Sequence, residues 1–265
     1  MTADRAQSDS KAPSAAASDT FSLISNQKLV QLYFSMLASR ALQKHIEPAA
    51  VAAPFPAARG QEAAAVGVAL DLVRGDVLAP AVWDNSPLSH INIRPSVATS
   101  VDHALRTSLR AHKAKNRKIA VAFAPNQLDG PGLDSGRLDK PWLEALDRAS
   151  TDRLPILFIT WRRPSSFSGN GFKHPAPASR KYTFPTITVD GCDVVAVYRV
   201  ASEAIEHARK DHGGTHIDCI AEKGEDPIHK MEQYLAGKGL PTSDLKRQAA
   251  AARKQLDHAL SDSKT

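Results

Sequence analysis

The stretch Leu154-Pro-Ile-Leu-Phe-Ile-Thr-Trp-Arg-Arg163 decides the fold class. A short unbroken run of apolar, mostly strand-forming side chains, opened by a proline, reads as a strand buried on both faces, which is the pattern of a parallel sheet. The run stops on a tryptophan and two arginines. Because α/β proteins place their ligand chemistry at the carboxyl ends of such strands, Arg162 and Arg163 are the first candidate functional residues.

Outward from this strand the pattern alternates. Val77 to Pro80, Ile119 to Ala124, Pro185 to Val189 and Thr215 to Ala221 read as further strands, with helices over Ser100 to Lys115, Asp139 to Ser150 and Asp193 to Lys210. Alternation at this spacing implies an α/β fold, a mostly parallel sheet with helices on both faces. Ahead of it, Ser25 can cap a helix in which Leu29, Tyr33, Met36, Leu37 and Leu42 recur at helical spacing until Glu47-Pro48, and alanine-dense Gly60 to Val73 reads as a tightly packed second helix. Helices over Pro227 to Ala236, capped by Asp226 with proline first, and over Ser243 to about Leu260 complete the pattern. Residues 1 to 19 are small and polar and read as a disordered tail, leaving 20 to 265 as a single domain. Pro164 to Lys181 is too long for a passive connection and reads as a ligand loop or a mobile insert.

Composition excludes several classes. With 42% hydrophobic and 23% charged residues in 265, the chain is an ordinary globular protein large enough to bury a core. The net charge of +6 is scattered except in His112-Lys-Ala-Lys-Asn-Arg-Lys118, which reads as a solvated helix end feeding a strand. Phe123 is the one aromatic near it, so nucleic acid is not an expected partner. Cys192 and Cys219 suit neither a disulfide framework nor a zinc motif and read as buried thiols. No apolar run reaches membrane-spanning length and no signal-peptide core is present, which makes a cytoplasmic location the expectation.

Other constellations carry little chemistry. Two glycines separate the imidazoles of His212-Gly-Gly-Thr-His216, which reads as a surface turn. Asp129-Gly-Pro-Gly132 lacks the lysine and serine of a phosphate loop. Glu144 with Asp147, and Glu203 with Glu206, sit at helical spacings expected of solvated faces.

Several segments taken in order resemble one family. Leu29-Val-Gln-Leu-Tyr-Phe-Ser-Met-Leu37, Gly60-Gln-Glu-Ala63, Gly75-Asp76-Val77, Ala120-Val-Ala-Phe123, Leu154 to Phe158, Val189-Asp-Gly191 with Asp193-Val194, Ala196-Val-Tyr198, Asp226-Pro227, Tyr234-Leu235 and Gly239-Leu240 together resemble the α subunit of the thiamine-diphosphate-dependent decarboxylating component of 2-oxo acid dehydrogenase complexes. The resemblance covers roughly residues 22 to 260. It implies a thiamine-diphosphate-binding-like fold, thiamine diphosphate and magnesium as the family's cofactors, a β-type subunit as partner, and oxidative decarboxylation of a 2-oxo acid with acyl transfer to lipoyl.

The same resemblance exposes departures. In the family the first central strand runs into Gly-Asp-Gly and the second ends in Asn-Asn, whose aspartate and asparagine hold the magnesium. Here Pro125-Asn126-Gln127 and Arg162-Arg163 stand there. A guanidinium has donors and no acceptor, whereas magnesium takes hard oxygen ligands in near-octahedral array. A fixed positive charge about 4 Å from a divalent ion costs on the order of 8 kcal/mol at an effective dielectric of 20. Asp129, three residues on, could replace one ligand and leaves the arginines in place. The family's Tyr-Arg pair after the first strand is replaced by Ala81-Val-Trp-Asp84, and its Gly-His-Ser loop is missing after Ile217-Asp-Cys-Ile-Ala-Glu222. These losses lead to a shortened, degenerate member with no cofactor expected, acting as a structural or regulatory subunit beside a β-type subunit or a copy of itself. The alternatives are an active decarboxylating subunit with a rebuilt site, or a binding protein for another phosphorylated ligand held by Arg162 and Arg163.

Overall fold

In the computed structural model, the described residues are 24–46, 60–79, 100–124, 140–162, 182–222, 224–240, 243–248, 250, 251 and 254. The sheet forms where the apolar runs predict it: β1 (Val77–Ala79), β2 (Ala120–Phe123), β3 (Ile156–Arg162), β4 (Thr186–Asp190) and β5 (Thr215–Ile220). All four pairings are parallel and the spatial order is β1-β2-β3-β5-β4. The central strands are the most apolar, and Ile156 to Ile159 are entirely buried.

Alternate side chains of the sheet feed two cores. Leu157, Ile159, Trp161, Ile217 and Cys219 face one side, where they pack with α2 (Glu62–Ala69) and α5 (Val194–Arg209). Ala120, Ala122, Ile156 and Phe158 face the other, beneath α3 (Ser100–Ala114) and α4 (Lys140–Thr151). A third cluster joins α1 (Asn26–Ile46) and α6 (Pro227–Gly237) to the outer sides of α2 and α5 through Leu29, Leu32, Tyr33, Met36, Met231 and Leu235. Helices thus cover both faces, as the alternation predicts.

Capping follows the sequence. Ser25 Oγ accepts from Lys28 N at 3.2 Å, Asp193 accepts from Val195 N and Ala196 N, and Asp226 accepts from Ile228 N and His229 N ahead of Pro227. Two spans differ from expectation. The α2 helix ends at Ala69 rather than Val73, and Val73 N donates to Asp76 Oδ2 at 2.8 Å, so a carboxylate stands in for the helical acceptor. The β3 strand runs on through Arg162, whose backbone pairs with Ile220. Residues 243–248 are helical. The expected tail over 1–19 and the Pro164 to Lys181 segment lie outside the described residues. No helix among the described residues is long and apolar enough to cross a membrane.

Candidate functional site

The connection after β2 places α4 on one face of the sheet, while the connection after β4 places α5 on the other. The helix layer therefore changes side between β3 and β5, and a crevice outside the carboxyl ends at such a point is the usual ligand position of an open α/β sheet. Arg162 ends β3 here, beside Ile220 of β5. Of the four residues singled out from the sequence, Arg162 is therefore an in-strand residue rather than the first of the loop. Asn126, Asp129 and Arg163 lie outside the described residues.

Next to this position is a buried polar group that the sequence reading missed. Thr160 and Asp218 are register partners, and the Thr160 hydroxyl donates to Asp218 Oδ1 at 2.9 Å. Its single proton is then committed, so its 2.9 Å contact with His216 Nε2 requires the imidazole to donate. All three side chains are over nine-tenths buried. His216 was expected in a surface turn; it lies instead in β5, and only His212 of the pair is exposed. The signal was the alternation of His216, Asp218 and Ile220 with Ile217 and Cys219, which places two polar residues on one sheet face.

A second cluster forms where β4 meets α6. Asp190, Cys192 and Glu225 offer ligand atoms that lie within 4.8 Å of one another. The Lys230 ammonium already pairs with Asp190 and lies 3.5 Å from Glu225, while Cys192 N donates to Asp190 Oδ1 at 2.8 Å. Burial disfavours the ammonium, but its hydrogen bond to Asp190 and the two nearby negative charges outweigh that and hold Lys230 above its ordinary value. A metal ion here would have to displace a lysine that stays charged. The chemistry this cluster performs is to tie the end of an edge strand to α6.

The glutamate of Gly60-Gln-Glu-Ala63 is structural in the same sense. Fully buried, Glu62 accepts from Gly60 N at 2.9 Å and from Arg40 Nε at 2.7 Å, and Arg40 Nη1 reaches Asp226 Oδ2 at 2.8 Å. Burial would raise the Asp226 carboxyl, yet the hydrogen bond and charge of Arg40 hold it below the usual carboxylate range. At the opposite end of the sheet Asp76, also fully buried, accepts from Ile119 N and from both terminal nitrogens of Arg209.

The remaining sequence candidates fall as expected. Cys192 and Cys219 are free and buried, and burial pushes the Cys219 thiol well up, aided by nearby negative groups. Glu144, Asp147, Glu203 and Glu206 are exposed.

Comparison with known proteins finds similarity in sequence. The family described as dehydrogenase E1 component matches residues 168–221, the segment that contains β4, α5 and β5. Over 289 aligned residues the chain is 25% identical to the α subunit of 3-methyl-2-oxobutanoate dehydrogenase from Mycobacterium tuberculosis, covering 87% of this chain and 77% of that protein. It is 27% identical over 129 residues to the α subunit of an acetoin:2,6-dichlorophenolindophenol oxidoreductase from Bacillus subtilis, covering 44% of this chain and 34% of that one. A rice chloroplast pyruvate dehydrogenase E1 α subunit is 29% identical over 136 residues, with 40% of this chain and 31% of that one covered. The chain thus spans about a third of the length of two of these relatives and about three quarters of the third. An X-ray structure of a Mycobacterium smegmatis protein assigned as thiamin diphosphate-dependent matches with a TM-score of 0.36 and 14% identity over 60% of this chain and 31% of that one, too low a score to bear on the fold. By sequence, this chain is similar to the α subunits of 2-oxo acid dehydrogenase E1 components.

Proposed function

We propose that this chain is a non-decarboxylating relative of the E1 α subunit that serves as a structural or regulatory subunit, associating with a β-type dehydrogenase subunit or with itself. The observation that carries this reading is Arg162 at the carboxyl end of β3, beside the point between β3 and β5 where the helix layer changes side, and followed by Arg163, where the family's second central strand supplies its asparagine. The donor set does not fit magnesium diphosphate. Asn126 offers one carbonyl oxygen, Asp129 is displaced by three residues, and the two guanidinium groups offer none. No step of a thiamine diphosphate reaction is therefore assigned to these residues, and no cofactor is expected. Isothermal titration of the full chain with thiamine diphosphate, with and without magnesium, is expected to give no magnesium-dependent heat. Micromolar, magnesium-dependent binding would overturn the reading in favour of an active oxidoreductase subunit that decarboxylates a 2-oxo acid.

A second reading draws on the same two arginines. Guanidinium forks match phosphate geometry, and the carboxyl end of a parallel strand at a switch point is where phosphorylated ligands bind. A thermal-shift screen of phosphate esters on the parent and on Arg162→Ala and Arg163→Ala separates the two readings. A melting shift present in the parent and lost in both variants supports an anion site; equal shifts in all three remove it.

A further inference from the structure

Helix α3 gives one side to the core and the other to positive charge. Val101, Ala104, Ser108 and Ala111 are buried, whereas Arg106, Arg110 and Lys113 are exposed. These three sit at the i, i+4, i+7 spacing of a single helix face and span about 10 Å along its axis. The stripe continues in Lys115 and Arg117, both exposed and both in the left-handed backbone region at φ 49° and 59°. Arg74 joins it from the turn before β1, since Lys118 Nζ donates to the Arg74 carbonyl at 2.6 Å and Arg209 Nη1 donates to the Arg117 carbonyl at 3.0 Å.

Three of the neighbouring carboxylates are already engaged, and a fourth, Asp102, lies one helical turn before Arg106 on α3. Asp76 is held by Arg209, Asp211 by His112 and Asp152 by Arg148, and none of the six cations forms an ion pair with a described carboxylate. Favourable interaction with the carboxyl-terminal end of α3 accounts for Lys113 and the turn beyond it, because that effect fades within one turn. It does not account for Arg110, which lies before the last turn, and Asp102 at the i, i+4 spacing supports Arg106 alone. Beside Arg74 lies Val73, 46% exposed and the only large apolar side chain exposed among the described residues.

We propose that this surface, running from the outer face of α3 to the amino end of the sheet, docks an acidic polypeptide segment of a partner protein. Carboxylates spaced one helical turn apart would meet Arg106, Arg110 and Lys113, and an apolar residue would rest on Val73. Charge complementarity selects a polyanion, and the exposed aliphatic anchor selects polypeptide over nucleic acid. No large aromatic is exposed among the described residues on which bases could stack. The proposal does not depend on the state of the metal site.

The test is fluorescence anisotropy on the full chain with a labelled peptide carrying glutamates at i, i+4 and i+7 and one leucine, beside a single-stranded oligothymidylate of equal charge. The patch variant Arg106→Gln/Arg110→Gln/Lys113→Gln/Arg117→Gln is compared with Lys140→Gln/Arg199→Gln/Lys238→Gln/Arg247→Gln, which removes the same charge elsewhere. Peptide affinity is expected to fall at least tenfold in the first and stay within twofold of the parent in the second. Val73→Ser is expected to weaken the peptide several-fold and to leave binding of its leucine-to-serine version unchanged. Absence of saturable peptide binding by the parent, equal loss in both charge variants, or tighter binding of the oligonucleotide would each overturn the proposal.

Discussion

At the scale of single residues, Gly67 shows how tightly this scaffold is drawn. A Cβ built there would lie 2.8 Å from Val197 Cγ1, closer than real Cβ atoms approach, and a tight 3.0 Å from Tyr198 N, so the backbone of α2 lies directly against α5. Gly67→Ala is expected to destabilise the chain by about 1–3 kcal/mol through overpacking, read as a lower urea midpoint at unchanged slope. The alanine-dense helix was legible from the sequence, but which residue would meet α5 was not, because that contact is set by helix rotation. The same limit hid Thr160, His216 and Asp218. Each looks ordinary in its own strand, and only the register of β3 against β5 brings them together. Arg162 was legible only to within a residue: the charge closing an apolar run marks the end of a buried strand, but the strand expected to stop at Trp161 runs on through Arg162.

Among the secondary elements, the ion pairs act as clasps between pieces whose apolar faces alone leave their ends free. Arg209 joins the end of α5 to the α2–β1 turn and the start of β2 by closing on Asp76. Arg209→Met is expected to cost about 3–5 kcal/mol, since it leaves a buried carboxylate without its charge partner. Exchanging Asp76 for Leu as well should not recover that loss, because Ile119 N would then be orphaned in the interior and Val73 N would lose its acceptor; denaturant melts of the two variants check both statements. Asp226 and Asp71 lie below the usual carboxylate range despite the opposing effect of burial. Arg40 holds the first, and Tyr198, Lys28 and Ser202 hold the second. A depressed folded value gives stability that is present above the unfolded value of about 3.9 and is lost as pH falls through the folded one. Urea midpoints are therefore expected to drop below about pH 4, and the gap between parent and Asp226→Asn should narrow over the same range. A constant gap from pH 6 to pH 3 would refute that assignment. The sequence showed the strands and helices because each carries its own apolar period, whereas the early end of α2 was hidden because it depends on where the Asp76 carboxylate lands.

For the whole molecule, the question is what the retained scaffold is for. The α2 helix could have been an assembly surface, but all eight of its residues are buried within this chain, between the sheet-side core and the cluster under α1 and α6. Its persistence is explained by the core and argues nothing about partners. Obligate subunit interfaces resemble a domain core cut in half, and stable monomers rarely expose large apolar patches. Among the described residues the exposed large apolar side chains reduce to Val73. Association through the described surface is therefore expected to be polar and governed by charge, which is screened beyond about 3 Å at 1 M salt. Light scattering of the chain, alone and mixed with a β-type dehydrogenase subunit, should show any complex at low ionic strength and its dissociation toward 1 M sodium chloride. A complex whose mass is unchanged by salt would mean that an apolar interface outside the described residues holds it. A monodisperse monomer that ignores the β-type subunit at every salt concentration would end the subunit reading and leave an independent ligand-binding protein built on this sheet.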